Sequence, residues 1–248
     1  MTLAPMIMIG GTDGSGKGLV VDTLVELAKK NNSNIFDLRK HEKENPFHPH
    51  FDNVKNHEIF VAAEPTHSEA GYAIRQLLKV NHSAKAIAEG FSFDRYNLDT
   101  RLTIPCRKNN IPVIKERGFE SSFVYQYELA KHINEPLSMK EIMSLQGNRQ
   151  AFEEYPPTHL IICHCPVETS IKRLSQRDKK DDAIYEKKKD FMQAVLDRYL
   201  SSEIKKIFEE KGIEVIYFDT DTDSPETTKK LVEENLWPII SKGFYNIN

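Results

Sequence analysis

Short apolar runs alternate with helix-period segments along most of the chain. Met6–Gly10 is a continuous apolar run of strand length that ends in glycines, followed by a helical pattern over Gly16–Lys30. Such runs read as strands buried on both faces. The alternation returns with Glu58–Ala63, a second strand stopped by Pro65, and a short helix opened by Ser68 with Ala70, Ile74, Leu77 and Leu78 on one side. A third helix is predicted over Ala84–Asn109, kinked or ended at Pro105, because proline has no N–H to donate. Ile111–Lys115, His159–Cys165 and Ile213–Phe218 read as the remaining strands. Phe119–His132 and Ser138–Glu153 read as helices between them, as do Pro166 to Gln176, a long helix ending near Glu210, and Pro225–Ile240. Strands alternating with helices predict an α/β fold with a parallel sheet of five strands, covered by helices on both faces. The polar stretch 31–57, with Pro46 and Pro49, reads as a loop-rich excursion.

Composition narrows the class. A chain of 248 residues can bury a full core as one domain over 1–248, with an insertion at 31–57 and a small lid at 175–185. A net charge of −3 argues against a dedicated nucleic-acid binder, which carries a basic domain. Cys106, Cys163 and Cys165 make no disulfide framework and point to a reducing compartment. No apolar run approaches membrane-spanning length. The N-terminus lacks a basic region followed by an apolar stretch. The expectation is a cytoplasmic protein that works on small molecules, with neither nucleic acid nor membrane as partner.

The chemistry concentrates where the first strand ends. Gly10-Gly11-Thr12-Asp13-Gly14-Ser15-Gly16-Lys17-Gly18 lies between a strand and a helix, the context that gives a phosphate-loop match its meaning. Glycines let successive backbone N–H groups converge on an anion, and the helix N-terminus adds partial positive charge. Residues 11–18 are therefore the candidate nucleotide-phosphate cradle, with Lys17 reaching the β/γ-phosphates. The pattern calls for Ser or Thr after the lysine as a Mg²⁺ ligand, and this chain has Gly18. The loop makes the fold class a P-loop NTPase-type α/β sheet.

Ligands of open parallel sheets bind beyond the carboxyl ends of the strands. The second and third strands end there in Glu64-Pro65 and Glu116-Arg117. Glu64 is a candidate base or water-mediated metal ligand, Glu116 a candidate Mg²⁺ ligand, and Arg117 a candidate phosphate ligand. Arg75 could face the same cleft. Phe91 and Arg95, four apart on one helix, share a face. Spacing alone reads Phe91 as core and Arg95 as paired with Asp94 or Asp99. Arg173 and Arg177 belong to a basic cluster near the expected lid, where an arginine can stabilise a transferring phosphoryl group. His41, His48, His50 and His57 are spaced too irregularly for a metal site. Cys163-His164-Cys165 alternates along a strand, so the cysteines share one face and read as structural.

Taken in order, these residues resemble the thymidylate kinase family of nucleoside monophosphate kinases. The similarity runs from Met6 to about Ile240, outside the 31–57 excursion. It rests on the phosphate loop, on Glu64-Pro65 with Glu69-Ala70-Gly71 and Ile74-Arg75-Gln76-Leu77-Leu78, and on Phe91-Ser92-Phe93-Asp94-Arg95. Glu116-Arg117 with Ser121-Ser122 and Tyr125-Gln126, and Pro166, Glu168 and Lys172-Arg173, complete it. The resemblance implies transfer of the ATP γ-phosphoryl group to dTMP with Mg²⁺. It implies Lys17 on the phosphates, Glu116 on the metal, and Arg75 and Arg117 on the acceptor phosphate. Phe91 and Arg95 would read the base. Ser121, Tyr125 and Gln126 would join the acceptor site, and Arg173 and Arg177 would act from the lid. A homodimer is a further implication. Gly18, Ala63, Gly118 and His164 depart from the family's pattern. A deoxynucleoside kinase and a catalytically silent nucleotide-binding relative therefore remain as alternative readings.

Overall fold

The computed structural model describes residues 2–67, 69–80, 82–176 and 189–245. Ser68 and Arg177, with most of the expected lid, lie outside the described residues. Six parallel strands make one sheet: β1 (Met6–Gly11), β2 (Ile35–Asp37), β3 (Ile59–Ala63), β4 (Val113–Glu116), β5 (His159–His164) and β6 (Glu214–Asp219). They lie in the order β2-β3-β4-β1-β5-β6. The expected five-stranded sheet is thus corrected to six. The added strand, β2, comes from the supposed loop region. It has three residues and pairs with β3 at the sheet edge, Phe36 opposite Phe60, too short for periodicity to reveal it.

Strand alternation sends the two faces of the sheet to different cores. Ile7 and Ile9 of β1 join Val61, Ile114 and Ile161 under Val20, Val21 and Leu24 of helix α1 (Lys17–Lys30). On the other face, Met6, Phe60, Ala62 and Val113 pack with Leu98 and Leu102. Beside them, Met8, Leu160 and Ile162 meet Phe119, Phe123, Phe152 and Phe208. The rings of Phe119 and Phe123 lie 5.3 Å apart, and Phe123 meets Phe152 edge-on at 5.4 Å. Each buried ring contributes about 1.5–3 kcal/mol by leaving water.

Three further helices frame the site. The acidic N-cap Asp37, which accepts from the Arg39 N–H, starts α2 (Leu38–Glu44) within the excursion. After β3 come α3 (Glu69–Leu77) and α4 (Ala84–Leu98), the second capped by Ser83. Pro105 does not end the long helix. A π-helical turn at Asp99–Thr103 precedes Ile104–Lys108. Arg101, whose carbonyl proline would leave without its i+4 donor, lies in that wider turn, so the register change absorbs the lost bond. The long helix expected to reach Glu210 is two, Lys189–Tyr199 and Ser202–Glu209. Ser201 divides them, because its hydroxyl accepts from the Ile204 N–H and caps a new start. Among the described residues, no helix is long and apolar enough to cross a membrane.

Candidate active site

β1 hands the chain to α1 through a loop that only glycine can follow. Gly14 has φ 81°, and a Cβ there would lie 2.6 Å from the Ser170 carbonyl oxygen. The loop is clamped from outside. The Thr220 hydroxyl donates to the Ser15 carbonyl at 2.7 Å. Arg173 donates to Gly14 O at 3.4 Å and to Thr220 O at 2.7 Å. Arg173 therefore stands against the loop backbone. Gly11, Thr12 and Gly16 complete the curve, and the buried Ser15 hydroxyl has no hydrogen-bond partner among the described residues.

Lys17 opens α1 and is buried. Its Nζ donates to the Thr12 carbonyl at 2.6 Å and lies 3.6 Å from Asp13 Oδ1. Asp13 also pairs with the Arg117 guanidinium, and its N–H donates to the Tyr125 hydroxyl at 3.0 Å. The Arg117 guanidinium lies over the Tyr125 ring, 5.4 Å from the centroid. So the loop, the end of β4 and the helical stretch after it converge on Asp13. Arg117 adopts φ 64°, a left-handed conformation that a residue with a Cβ adopts at a cost of about 1–3 kcal/mol. Its N–H is held by Ile9 O at 2.8 Å.

Glu116 sits at the end of β4, level with Ile9 of β1. Among the described residues nothing hydrogen-bonds or ion-pairs with its carboxylate. A Cβ built on Gly18 would lie 3.9 Å from Glu116 Oε2. An unpartnered carboxylate beside the phosphate loop is an oxygen donor suited to Mg²⁺. Glu116 fits that ion. Gly18 supplies no second oxygen from its side chain.

Glu64 follows β3, and its N–H donates to Glu116 O at 2.9 Å. Glu64 is 5% exposed as a residue. Oε2 accepts from Arg95 Nη2 at 2.6 Å, and Lys115 Nζ stands 2.6 Å from Oε1. Lys115 also pairs with Asp99 at 2.7 Å. The expected partners of Arg95 are thus corrected. Asp99 takes Lys115, and Asp94 takes both the N–H and the hydroxyl of Thr66, at 2.8 and 2.7 Å. Arg95 instead joins Glu64, Ser122 and Asn148, while its buried Nε has no acceptor among the described residues. Burial pushes the Asp94 carboxyl up to about 6, against the Thr66 hydrogen bonds. Arg75 on α3 donates to Pro65 O at 2.6 Å and Thr66 O at 3.2 Å. Phe91 on α4 is half-buried against the core.

Ser121 donates to Glu120 Oε1 at 2.8 Å and lies 3.3 Å from the Tyr199 hydroxyl. Gln126 is buried with its Oε1 unpartnered among the described residues. Cys163 belongs to the buried core, and burial pushes its thiol up to about 12, which keeps it a poor metal ligand.

Sequence reasoning missed Lys115, Glu120 and Thr220. Lys115 interrupts an apolar run at a position shared with Val113, whose face is buried; that was the available signal. Glu120 is fully buried, with Oε2 unpartnered, in a space left by Gly10 and Gly118. Burial raises its carboxyl above the usual carboxylate range. Thr220 carried no local signal.

A six-stranded parallel α/β sheet with a glycine loop running into α1, and strand-end carboxylate and arginine beside it, is the framework of a P-loop phosphotransferase. The sequence matches the thymidylate kinase family model over residues 40–216, most of the chain. The protein belongs to the thymidylate kinase family, whose members are nucleotide-phosphorylating kinases. A comparison with curated proteins gives no match.

Proposed function

We propose that the protein transfers the γ-phosphoryl group of ATP to dTMP, giving dTDP. The observation that carries this reading is the convergence of Lys17, Asp13, Arg117 and Glu116 at the mouth of the phosphate loop. The loop N–H groups and the start of α1 would cradle the donor phosphates. Lys17 would exchange the Thr12 carbonyl for a phosphate oxygen. Arg117 would exchange part of its hold on Asp13 for the acceptor phosphate, with Arg75 beside it. Mg²⁺, held by Glu116, would neutralise charge on the transferring group. Phe91 would stack on the base and Arg95 bond it, with Ser121, Tyr125 and Gln126 lining the acceptor side. Arg173 would steady the loop under the donor, and Arg177 would act from the lid.

The surroundings of Glu64 favour a monophosphate acceptor over a nucleoside. A nucleoside hydroxyl must surrender a proton to a base, whereas a phosphate already carries its nucleophilic oxygen. Glu64 is buried between Arg95 and Lys115, engaged as a counter-ion and poorly placed as a base. Offering dTMP and thymidine side by side with ATP and Mg²⁺ tests this: dTMP is phosphorylated and thymidine is not. Phosphorylation of thymidine alone would reverse the assignment.

A further inference from the structure

The 31–57 excursion takes no part in the mechanism above, yet two of its polar side chains are as buried as the core: Glu42 is 6% exposed and His48 3%. β2 lies beside β3 at the sheet edge, and α2 leaves its end next to the turn that follows β3. From α2, Glu42 Oε2 accepts the His67 N–H at 2.8 Å. Glu42 Oε1 lies 3.3 Å from His48 Nε2. His48 is pinned in turn, since Arg101 donates to the carbonyls of His48 and Pro49 at 3.1 and 3.0 Å.

The turn that Glu42 grips, residues 64–67, is the one that orders the acceptor side. Glu64 holds Arg95, Thr66 is held by Asp94, and the carbonyls of Pro65 and Thr66 hold the Arg75 guanidinium. A contact chain thus runs from Arg101 through His48 and Glu42 to His67, and from the turn to Arg75. Burying a carboxylate costs several kcal/mol unless its bonds compensate. The hydrogen bond to His67 and the close approach to His48 lead out of α2, so this carboxylate ties the turn to the excursion.

We infer that Glu42, supported by His48, is a positioning residue for the acceptor monophosphate: it fixes the 64–67 turn and, through it, the Arg75 guanidinium. This rests on the acceptor-side reading of that turn. The excursion is then a strut for the acceptor site.

The test uses the full chain as wild type, Glu42→Ala and Glu42→Gln. Amide exchange at His67 is read without nucleotide, and KM for dTMP and for ATP in steady state. Loss of one buried hydrogen bond to a charged group predicts, for Glu42→Ala, roughly tenfold faster exchange at His67 and a dTMP KM roughly tenfold higher. The ATP KM stays within about twofold of wild type. Glu42→Gln, whose amide oxygen can accept the same N–H, restores both. Should Glu42→Ala not fold, His48→Asn is read the same way, with a rise of about threefold. An unchanged dTMP KM, or equal rises in both KM values, overturns the inference. Unchanged exchange at His67 removes the strut itself. A wild type that phosphorylates nothing removes the kinase reading and this role with it, so the two failures are told apart.

Discussion

Gly18 and Glu116 face each other beside the phosphate loop: a Cβ on Gly18 would stand 3.9 Å from one carboxylate oxygen of Glu116 and 4.0 Å from the other. Among the described residues no other atom outside the helix's own backbone and the flanking residues comes within 4 Å of that Cβ, and φ there is not in the left-handed range. A serine hydroxyl would thus enter the space that Glu116 borders without strain. Gly18→Ser should tighten apparent Mg²⁺ affinity about tenfold through one added oxygen ligand, and stabilise α1 by a few tenths of a kcal/mol. Mg²⁺ titration with ATP present, alongside urea unfolding, checks both. An unchanged Mg²⁺ dependence would mean that the cation sits elsewhere.

Lys17→Met keeps the length of the side chain and removes its charge. Lys17 is buried against the loop, and its Nζ bonds the Thr12 carbonyl, so the first turn of α1 should survive. Turnover should fall roughly 10²–10³-fold, the scale for losing one preorganised donor to developing charge. Circular dichroism and steady-state kinetics on the same preparation separate this from unfolding.

Glu64→Gln leaves Arg95 and Lys115 without the charge between them. Breaking a buried ion pair on one side destabilises by about 3–5 kcal/mol, so the urea midpoint should drop clearly. A variant of wild-type stability that has lost only turnover would instead identify Glu64 as a catalytic base.

Asp94 gives the protein a pH signature. Its carboxyl is raised from 3.8 to about 6 by burial, so the folded state holds the proton more tightly than the unfolded chain does. The stability this contributes is full below pH 3.8 and is lost as pH rises to about 6, on the order of 3 kcal/mol. Glu120, raised by the same cause, acts with the same sign. Asp94→Asn should flatten the fall in stability between pH 4 and 6, measured by urea unfolding at fixed temperature. Equal slopes in variant and wild type would contradict it.

Much of this structure was legible because local signals agree. Met6–Gly11 is apolar at every position until glycines end it, and the loop spacing then marks the candidate phosphate site. What stayed hidden depends on long-range pairing. β2 has three residues and borrows its stability from β3. Glu64 and Arg95 are 31 residues apart, and no spacing rule joins them across two elements. Asp94 and Asp99 were the near partners of Arg95 on its own helix, but tertiary contacts drew them to Thr66 and Lys115. Glu42 and His48 lie in a polar stretch whose composition suggests exposure, yet both are buried, in contact with each other and with His67 and Arg101.

Phe91 separates a base-reading role from a core one. It is half-buried on α4. Phe91→Ala should raise KM for dTMP well above any change in KM for ATP, because a stacked base loses about 1 kcal/mol or more with the ring. Equal changes in both would assign Phe91 to the core.

The most direct measurement is single-enzyme turnover of dTMP with ATP and Mg²⁺, followed as dTDP. Turnover of roughly 1–100 s⁻¹, the ordinary kinase range, is the result expected if Lys17, Glu116 and Arg117 form a working site despite Gly18. ATP binding with no dTDP formed at high enzyme concentration would contradict it and leave a nucleotide-binding protein that no longer catalyses.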